Sequence, residues 1–389
     1  MPHAVSSANW LSRISIAAVF AAALFAATGS AKASGPALLV DAQSGAVIYA
    51  DEPDTRWFPA SLTKLMTAYI IFEELRVGRL KMEDRIVTSQ AARAVQPSKI
   101  GLPVGGRMTV SVGIDALIIK SANDVAIMFA ERIEGSVPAF AARMNATAAR
   151  LGMSRTRFVN PNGLHHPDQV STARDMATLA RALMKQFPEH ADRFTRTSMR
   201  FGKARLRSFN LLLKTFNGAD GMKTGFVCAA GFNVVSSATR NGRRLIAVVL
   251  GAETARIRNT RAASLLAHGF EHGAWKTFFF PATLKTLPAA ARAGGGPVNM
   301  RPRVRAWVCG WRKKKQQAAT RASTGTPVRE RRATVRRNAS GTGLANVQAT
   351  GEARARVPAN GEASGSGWSA QTRPSAARAA AASAFASER

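Results

Sequence analysis

The sequence has little acidic charge, only two cysteines and no long apolar run beyond its first thirty residues. Only 23 Asp and Glu residues stand against 55 Lys and Arg residues in 389, so the net charge is +32. That imbalance suggests contact with polyanions or membrane surfaces and says nothing about fold. Because 46% of the residues are apolar, the chain can still bury the core of one large domain or two ordinary ones.

The two cysteines, Cys228 and Cys309, lie in very different sequence contexts. We therefore do not expect a disulfide between them, and their spacing matches no metal site. Cys228 has no histidine nearby in sequence that could activate it, so we interpret it as a small packed side chain. The adjacent His165 and His166 point apart and lack a third ligand. We predict no metal and no cofactor.

The longest apolar stretch, residues 14–27, is short and rich in alanine. It follows Arg13 and precedes the small-x-small sequence Ala31-Lys32-Ala33, which is the pattern of a cleaved export signal. We therefore predict a signal peptide over residues 1–33 and an exported protein on the periplasmic or cell-wall side. An uncleaved membrane anchor is the alternative.

The patterning of the body, residues 34–287, runs from strands to several helices, then to strands and a last helix. Residues 37–50 predict two strands around a turn, and Asn241-Gly242 predicts a tight hairpin. Segments after residue 206, including "RSFNLLLKTF", are strand-like. A helix after Pro59 has its apolar residues at helical spacing, which predicts a buried stripe of Leu62, Leu65, Met66, Tyr69 and Ile70. This order predicts an α+β fold with an antiparallel sheet covered by helices.

Residues 288–389 lose this patterning. From Lys285 to the end the chain holds 20 Lys or Arg residues and 4 Asp or Glu residues, with few aromatics. Such a segment cannot bury enough apolar surface to offset its ordering entropy, so we predict a disordered basic tail that does not pack on the body. Its expected partners are anionic membrane surfaces or wall polymers, not nucleic acid. A shifted reading frame would give a similar composition.

Three short sequences could together build an acyl-transfer site. Ser61 and Lys64 lie one turn apart at the start of a helix, and Lys223 lies on a strand. A serine hydroxyl is a poor nucleophile until a base removes its proton. A lysine can be that base only when neutral, and both burial and a second cation such as Lys223 lower its pKa.

The remaining members of these sequences are Ser121-Ala122-Asn123 and Thr224-Gly225. Taken singly, each triplet fits a surface helix, a helix cap or a solvated strand. The three in this order, on helix, helix and strand, favour a functional site, because a strand that carries a glycine lets a peptide pair along its edge.

At this point the sequence resembles a known family, the penicillin-recognising serine D,D-peptidases, and among them the low-molecular-mass D-alanyl-D-alanine carboxypeptidases. The resemblance covers residues 36–272 and includes "FPASLTKLMTAY", "IIKSANDVAIMFAE", "NPNGLHHPDQVSTARDMA" and "DGMKTG". It implies a β-lactamase/transpeptidase-like fold with an all-helical subdomain. It also implies removal of the terminal D-alanine from peptidoglycan stem pentapeptides, with β-lactams as inhibitors, in peptidoglycan biosynthesis and cell shape.

The resemblance also implies residue roles. Ser61 would be acylated, Lys64 would be its base, and Ser121 would relay the proton. The backbone N–H groups of Ser61 and Phe226 would form the oxyanion hole. The implied substrate-binding residues are Asn123, Lys223, Thr224, Gly225, Phe226 and Arg258, the last receiving the terminal carboxylate.

The sequence also departs from the family. Phe226 and Val227 offer no hydroxyl or imidazole after the Lys-Thr-Gly triplet, and the basic tail stands where a β-rich domain is common. A D,D-endopeptidase uses the same residues, and a catalytically idle wall-binding protein is an alternative of a different class. A β-lactamase is disfavoured because no E-x-x-L-N-like phrase supplies its deacylating base.

Overall fold

The computed structural model of the protein describes residues 35–279, 282–289, 295–304 and 308–309. The predicted signal peptide lies outside these ranges, as does most of the predicted tail. The chain divides into two units, Met1–Thr326 and Pro327–Arg389, and no residue of the second unit is described. In the described ranges, no helix is both long and apolar enough to cross a bilayer.

A five-stranded antiparallel sheet forms the centre of the body, with the strand order β2-β1-β9-β8-β7. Two smaller antiparallel pairs, β3–β4 and β5–β6, lie outside it. The strands are β1 (Ala37–Asp41), β2 (Val47–Asp51), β3 (Arg85–Val87), β4 (Arg107–Thr109), β5 (Ser198–Phe201), β6 (Ala204–Arg207), β7 (Ala219–Val227), β8 (Gly231–Arg240) and β9 (Arg243–Ala252). β7 is an edge strand: β8 pairs with it on one side, and no strand in the described part of the chain pairs with it on the other.

The helices lie between and after these strands. They are α1 (Lys64–Arg76), α2 (Gln90–Ala94), α3 (Val110–Asp115), α4 (Asn123–Glu134), α5 (Val137–Arg150), α6 (Ala173–Gln186), α7 (Asp192–Thr195), α8 (Leu212–Thr215) and α9 (Ala255–Phe279). Short 3₁₀ segments span Ala60–Thr63 and Pro188–His190, and a π-helical segment spans Ala116–Lys120.

The sheet is buried on both faces, and β1 shows the alternation directly. Ala37 and Leu39 belong to a smaller apolar cluster that includes residues of α9. Leu38 and Val40 belong to the main core, which also contains α1, α4 and α6. Successive strand residues point to opposite faces, so one short strand supplies both clusters. The α+β prediction is confirmed, although the helical subdomain also carries the small β3–β4 pair.

Helix α1 lies at the centre of the main core. All five residues of the predicted stripe are buried, and so is every other residue from Lys64 to Glu74. A helix enclosed on all sides is held by tertiary packing more than by its own propensity. The buried position of α1 has a chemical consequence, because its first residue is the lysine of the Ser-x-x-Lys sequence.

Two expectations about the end of the body are wrong. Leu212–Thr215 of the strand-like segment form the short helix α8, because the buried Leu212 anchors a helical turn in the cluster beneath α9. Some of the described residues after residue 288 do pack on the body, contrary to the expectation for the tail. Met300 and Val304, four residues apart, are 1% and 2% exposed and lie in the main core. These two apolar side chains are buried and stabilise the packing of the segment, although the average composition of the tail predicts no such burial.

Candidate active site

Ser61 lies in the 3₁₀ turn that leads into α1, and Lys64 is the first residue of that helix. The Lys64 Nζ to Ser61 Oγ distance is 3.1 Å. Ala60, just before the serine, has a φ of +50°, which is uncommon for a residue with a side chain. The tight turn presents a half-buried hydroxyl above a buried amine.

Lys64 is 1% exposed. Its Nζ donates to Asn123 Oδ1 at 2.7 Å and to the Asn162 carbonyl at 2.5 Å. Burial, reinforced by the nearby charge of Lys223, holds the pKa of Lys64 well below its usual range, against a smaller opposing effect of Asp124. A lysine in this environment is neutral at a lower pH than a surface lysine.

The loop that contains Asn162 was not expected in the site. Gly163 has a φ of +79°, and a Cβ there would overlap the Ala60 carbonyl. Thr67 Oγ1 donates to the Pro161 carbonyl at 2.7 Å, which fixes the loop against α1. The Asn162-Gly163 pair is a turn signal in the sequence, but nothing in it indicates that a backbone carbonyl reaches Lys64.

Ser121 and Asn123 come from the junction between the π-helical segment and α4. Ser121 has a φ of +59° and is 6% exposed. Asn123 faces Lys64, and its Nδ2 donates to the Gln96 carbonyl at 2.8 Å. Ser121 is not among the three groups that accept hydrogen bonds from Lys64. A left-handed serine after a π-helical turn is a costly arrangement of the kind that clusters at functional sites.

Edge strand β7 brings the third sequence against the serine turn. A Cβ on Gly225 would lie 2.9 Å from the Pro59 carbonyl and 3.1 Å from the Ser61 nitrogen. Only a residue without a side chain allows this close approach of two backbones. Thr224, which precedes Gly225, is 7% exposed.

Lys223 and Arg258 are two buried cations, of which Arg258 lies close enough to act on Lys223 and Lys223 close enough to act on Lys64. Lys223 is 3% exposed, and its Nζ donates to the Thr224 carbonyl at 3.0 Å. Burial, together with the charge of Arg258, lowers the pKa of Lys223 to about 7. Arg258 is 4% exposed and donates to Asn259 Oδ1, and burial lowers its pKa to about 10. In the described ranges neither cation forms a salt bridge with a carboxylate.

Phe226 and Cys228 follow the triplet. The Phe226 ring stacks on Phe232 of β8 with centroids 4.2 Å apart. Cys228 forms a disulfide with Cys309, and the two Cα atoms are 6.0 Å apart. The interpretation of Cys228 as a free packed thiol is therefore wrong. Chain folding brings together residues separated by 81 positions, which differences in local sequence context do not rule out.

These residues form one arrangement: a serine hydroxyl beside a buried amine, an open strand edge, and two buried cations able to receive an anion. His165 packs edge-on against Phe58, three residues before the serine, with centroids 4.8 Å apart. Across the described ranges, no group of three or more His, Cys, Asp or Glu side chains could hold a metal ion.

Comparison with solved structures identifies the class of protein to which the fold belongs. The fold is similar to that of penicillin-binding protein 5 from Haemophilus influenzae, at 36% identity and a TM-score of 0.59, over 61% of this chain and 71% of that one. It is also similar to penicillin-binding protein D2 from Listeria monocytogenes in its ampicillin-bound form, at 31% identity and a TM-score of 0.55, over 61% of this chain and 97% of that one. The fold is that of the penicillin-binding proteins.

The family then follows from the sequence. The family model described as D-alanyl-D-alanine carboxypeptidase matches residues 23–254, and the chain belongs to that family. A curated relative, the D-alanyl-D-alanine carboxypeptidase DacA of Haemophilus influenzae, is 37% identical over 258 residues. The matched region is 65% of this chain and 63% of that protein, so the chain spans less than two thirds of the length of this relative.

Proposed function

We propose that the protein is a serine-type D-alanyl-D-alanine carboxypeptidase that removes the terminal D-alanine from peptidoglycan stem pentapeptides. The observation that carries the proposal is the 3.1 Å contact between Ser61 Oγ and the buried Lys64 amine, with Gly225 of the edge strand against the Ser61 nitrogen. Membership of the carboxypeptidase family supports it. We assign the peptidase domain to residues 34–287, on which Met300 and Val304 also pack.

In the proposed mechanism, neutral Lys64 takes the proton from Ser61 as its oxygen attacks the carbonyl of the penultimate D-alanine. The negative oxygen that forms is held by the N–H groups of Ser61 and Phe226. The C–N bond then breaks, and the proton returns through Lys64 and Ser121 to the leaving D-alanine amine. Water hydrolyses the ester on Ser61 in a second, similar step.

Substrate capture uses the edge strand and the buried cations. The peptide would lie along β7, where Thr224 and Asn123 offer polar contacts to its backbone. Lys223 and Arg258 would receive the terminal carboxylate, since both are buried and have no salt bridge to a carboxylate in the described ranges. A buried charge is stable only when an opposite charge or several dipoles compensate it.

We also infer that the protein acts outside the cytoplasm, on the periplasmic or cell-wall side. The Cys228–Cys309 disulfide supports this location, because disulfides persist in oxidising compartments. The expected signal peptide would provide the route, and N-terminal sequencing of the exported protein, expected to begin near Ser34, tests it.

Penicillin labelling tests the activity, because a β-lactam presents a strained amide to the same serine and should inhibit the enzyme. We expect a fluorescent penicillin to label the chain at Ser61, and Ser61→Ala to abolish labelling while its circular dichroism stays unchanged. Mass spectrometry of muropeptides should show stem pentapeptides shortened by one alanine, with free D-alanine as the other product. Label retained on the Ser61→Ala chain contradicts the assignment, and products cut at crosslinks instead identify an endopeptidase.

A further inference from the structure

The β7–β8 turn, residues 228–230, joins two parts of the proposed oxyanion hole. Its Ala229 and Ala230 are buried in one small cluster with Phe58 and Ala60. Ala60 directly precedes the nucleophilic serine, which carries one proposed donor. The turn itself starts directly after β7, which carries the other. A displacement of this turn therefore acts on both donors.

A segment from beyond the sheet and α9 attaches to this turn. We call it the strap and define it as residues 295–304 with Val308 and Cys309. The Met300 nitrogen donates to the Ala229 carbonyl at 2.8 Å, and Cys309 is bonded to Cys228. The strap thus holds two consecutive residues of the turn, one through a hydrogen bond and one through a covalent bond.

The strap is itself anchored in the body. Met300 and Val304 are almost completely buried in the main core, and Val308 and Cys309 pack against it. On the other side of the turn, Trp57 Nε1 donates to the Ala230 carbonyl at 2.8 Å. Each of the three turn residues is therefore held by a group from a distant part of the chain.

Such restraint matters for an oxyanion hole. Two backbone donors stabilise the developing charge only when both lie about 2.7–3.1 Å from the position of the negative oxygen. A misplacement of about 1 Å in a reacting group can cost on the order of a hundredfold in rate. Within the turn, the one backbone hydrogen bond runs from the Ala230 nitrogen to the Val227 carbonyl at 2.9 Å. The β7–β8 ladder closes the turn at the Val227–Gly231 pair, and the distant attachments hold the closed turn against the serine turn and the core.

We propose that the strap is a positioning element for the oxyanion hole, acting through Met300 and the Cys228–Cys309 disulfide. This inference rests on the proposed function. The strap contributes no atom to the reaction; it fixes the turn against Phe58 and Ala60 on one side and the end of β7 on the other. Reduction of the disulfide by a dithiol such as dithiothreitol, which gives two thiols and the oxidised dithiol, should release one of its two attachments.

The test uses the oxidised full chain, the double variant Cys228→Ser/Cys309→Ser, and Met300→Ala. Val298→Ala is the matched control, because Val298 is an apolar strap residue that is 39% exposed. We expect kcat on a D-Ala-D-Ala peptide to fall about tenfold in both test variants, part of the effect of losing one oxyanion donor. KM should change less than about twofold, since the binding contacts remain.

An infrared measurement separates positioning from general loss of structure. Hydrogen bonds from the oxyanion hole lower the stretching frequency of the ester carbonyl in the penicilloyl-enzyme. We expect that frequency to rise in the double variant and in Met300→Ala, and to stay unchanged in Val298→Ala. Met300→Leu, which keeps an apolar anchor of similar size, should restore both the frequency and kcat.

The outcomes distinguish the two proposals. If the oxidised chain is labelled at Ser61 but the test variants keep the kcat and carbonyl frequency of the natural sequence, the positioning role is overturned and the proposed function stands. If the double variant does not fold, Met300→Ala and Met300→Leu decide: equal kcat and equal frequencies in the two overturn the role. If the oxidised chain is not labelled at all, the proposed function fails and the positioning role falls with it.

Discussion

Lys64 is the residue on which the proposed chemistry depends most directly. Lys64→Met removes the amine and keeps a side chain of similar length. We expect acylation by penicillin to slow by about 10²–10⁴-fold, the usual contribution of a general base. The second-order rate constant of labelling measures this effect.

The substitution also leaves Asn123 Oδ1 and the Asn162 carbonyl without their donor, so a loss of about 1–3 kcal/mol in unfolding free energy is expected. Thermal unfolding separates that loss from the kinetic effect. Lys185→Met is the matched control, because Lys185 is exposed on α6. If Lys64→Met is acylated at a rate within about tenfold of the unmodified chain, a group other than Lys64 is the general base.

The lowered pKa values of the two lysines predict a bell-shaped pH dependence. Lys64 must be neutral to act as base, so kcat/KM should rise with pH through its lowered pKa. Lys223 must be protonated to hold a carboxylate, so kcat/KM should fall as pH rises through about 7. The pKa values measured from the two limbs are those of the free enzyme, since kcat/KM reports on it. Because the two lysines interact, these pKa values belong to the pair and not to either lysine alone.

A substrate without the terminal carboxylate separates the limbs. A peptide ending in D-alaninamide presents no anion to Lys223, so its kcat/KM should keep the acid limb and lose the fall near pH 7. Lys223→Met should likewise remove the fall for the free-carboxylate peptide and raise its KM. An identical alkaline limb for both peptides would show that Lys223 does not act through the carboxylate.

At the scale of elements, the approach of β7 to the serine turn makes a steric prediction. Gly225→Ala places a Cβ 2.9 Å from the Pro59 carbonyl and 3.1 Å from the Ser61 nitrogen. Both contacts are with backbone, so the strand and the turn must separate. We expect acylation by penicillin to slow at least tenfold, with a stability loss of about 1–3 kcal/mol.

Gly242→Ala provides a control with a similar stability cost away from the site. Gly242 has a φ of +75° in the β8–β9 turn, and a Cβ there meets nothing within 4 Å. Backbone strain alone should destabilise this variant by about 1 kcal/mol and leave its acylation rate unchanged. If Gly225→Ala and Gly242→Ala acylate equally fast, the close approach is not needed for chemistry.

Elements with local signals were predictable. Asn241 and Gly242 adopt φ values of +49° and +75°, as a two-residue hairpin requires. The stripe on α1 is buried as its spacing indicates. The order of the three short sequences led to the residues that surround Lys64, since each lies at the start of a helix or on a strand whose pattern is visible in the sequence.

Features that depend on distant contacts were not predictable. The strand-like Leu212–Thr215 segment is helical, because burial of Leu212 overrides local preference. The positive φ of Ser121 arises where a π-helical turn meets α4. The Asn162 carbonyl reaches Lys64 through a loop about a hundred residues away. The disulfide was missed because the different sequence contexts of Cys228 and Cys309 do not show that folding brings together residues 81 positions apart.

At the scale of the whole molecule, the position of the strap changes the expected role of the C-terminal region. Composition predicts that the tail after Pro288 does not pack on the body. Met300, Val304 and Cys309 instead connect part of that region to the turn beside the site. Most of the net charge of that region lies further on, since 15 Lys or Arg residues and 4 Asp or Glu residues follow Gly310. Chemistry and surface binding should therefore separate near residue 310.

Two truncated chains test that separation. A chain ending at Gly310 keeps the strap and its disulfide and should be acylated by penicillin at the rate of the full chain. A chain ending at Pro288 loses both and should be acylated about tenfold more slowly.

The full chain should sediment with vesicles of anionic phospholipid at low salt and be released near physiological ionic strength, where the Debye length is about 8 Å. Both truncated chains should sediment less than the full chain, because exposed contacts of this kind act through charge and each truncated chain lacks the 15 Lys or Arg and 4 Asp or Glu residues after Gly310. Equal acylation rates for the two truncated chains would show that the strap is not needed for acylation. Equal sedimentation of the full chain and the Gly310 chain would show that the charge after Gly310 does not carry the membrane contact.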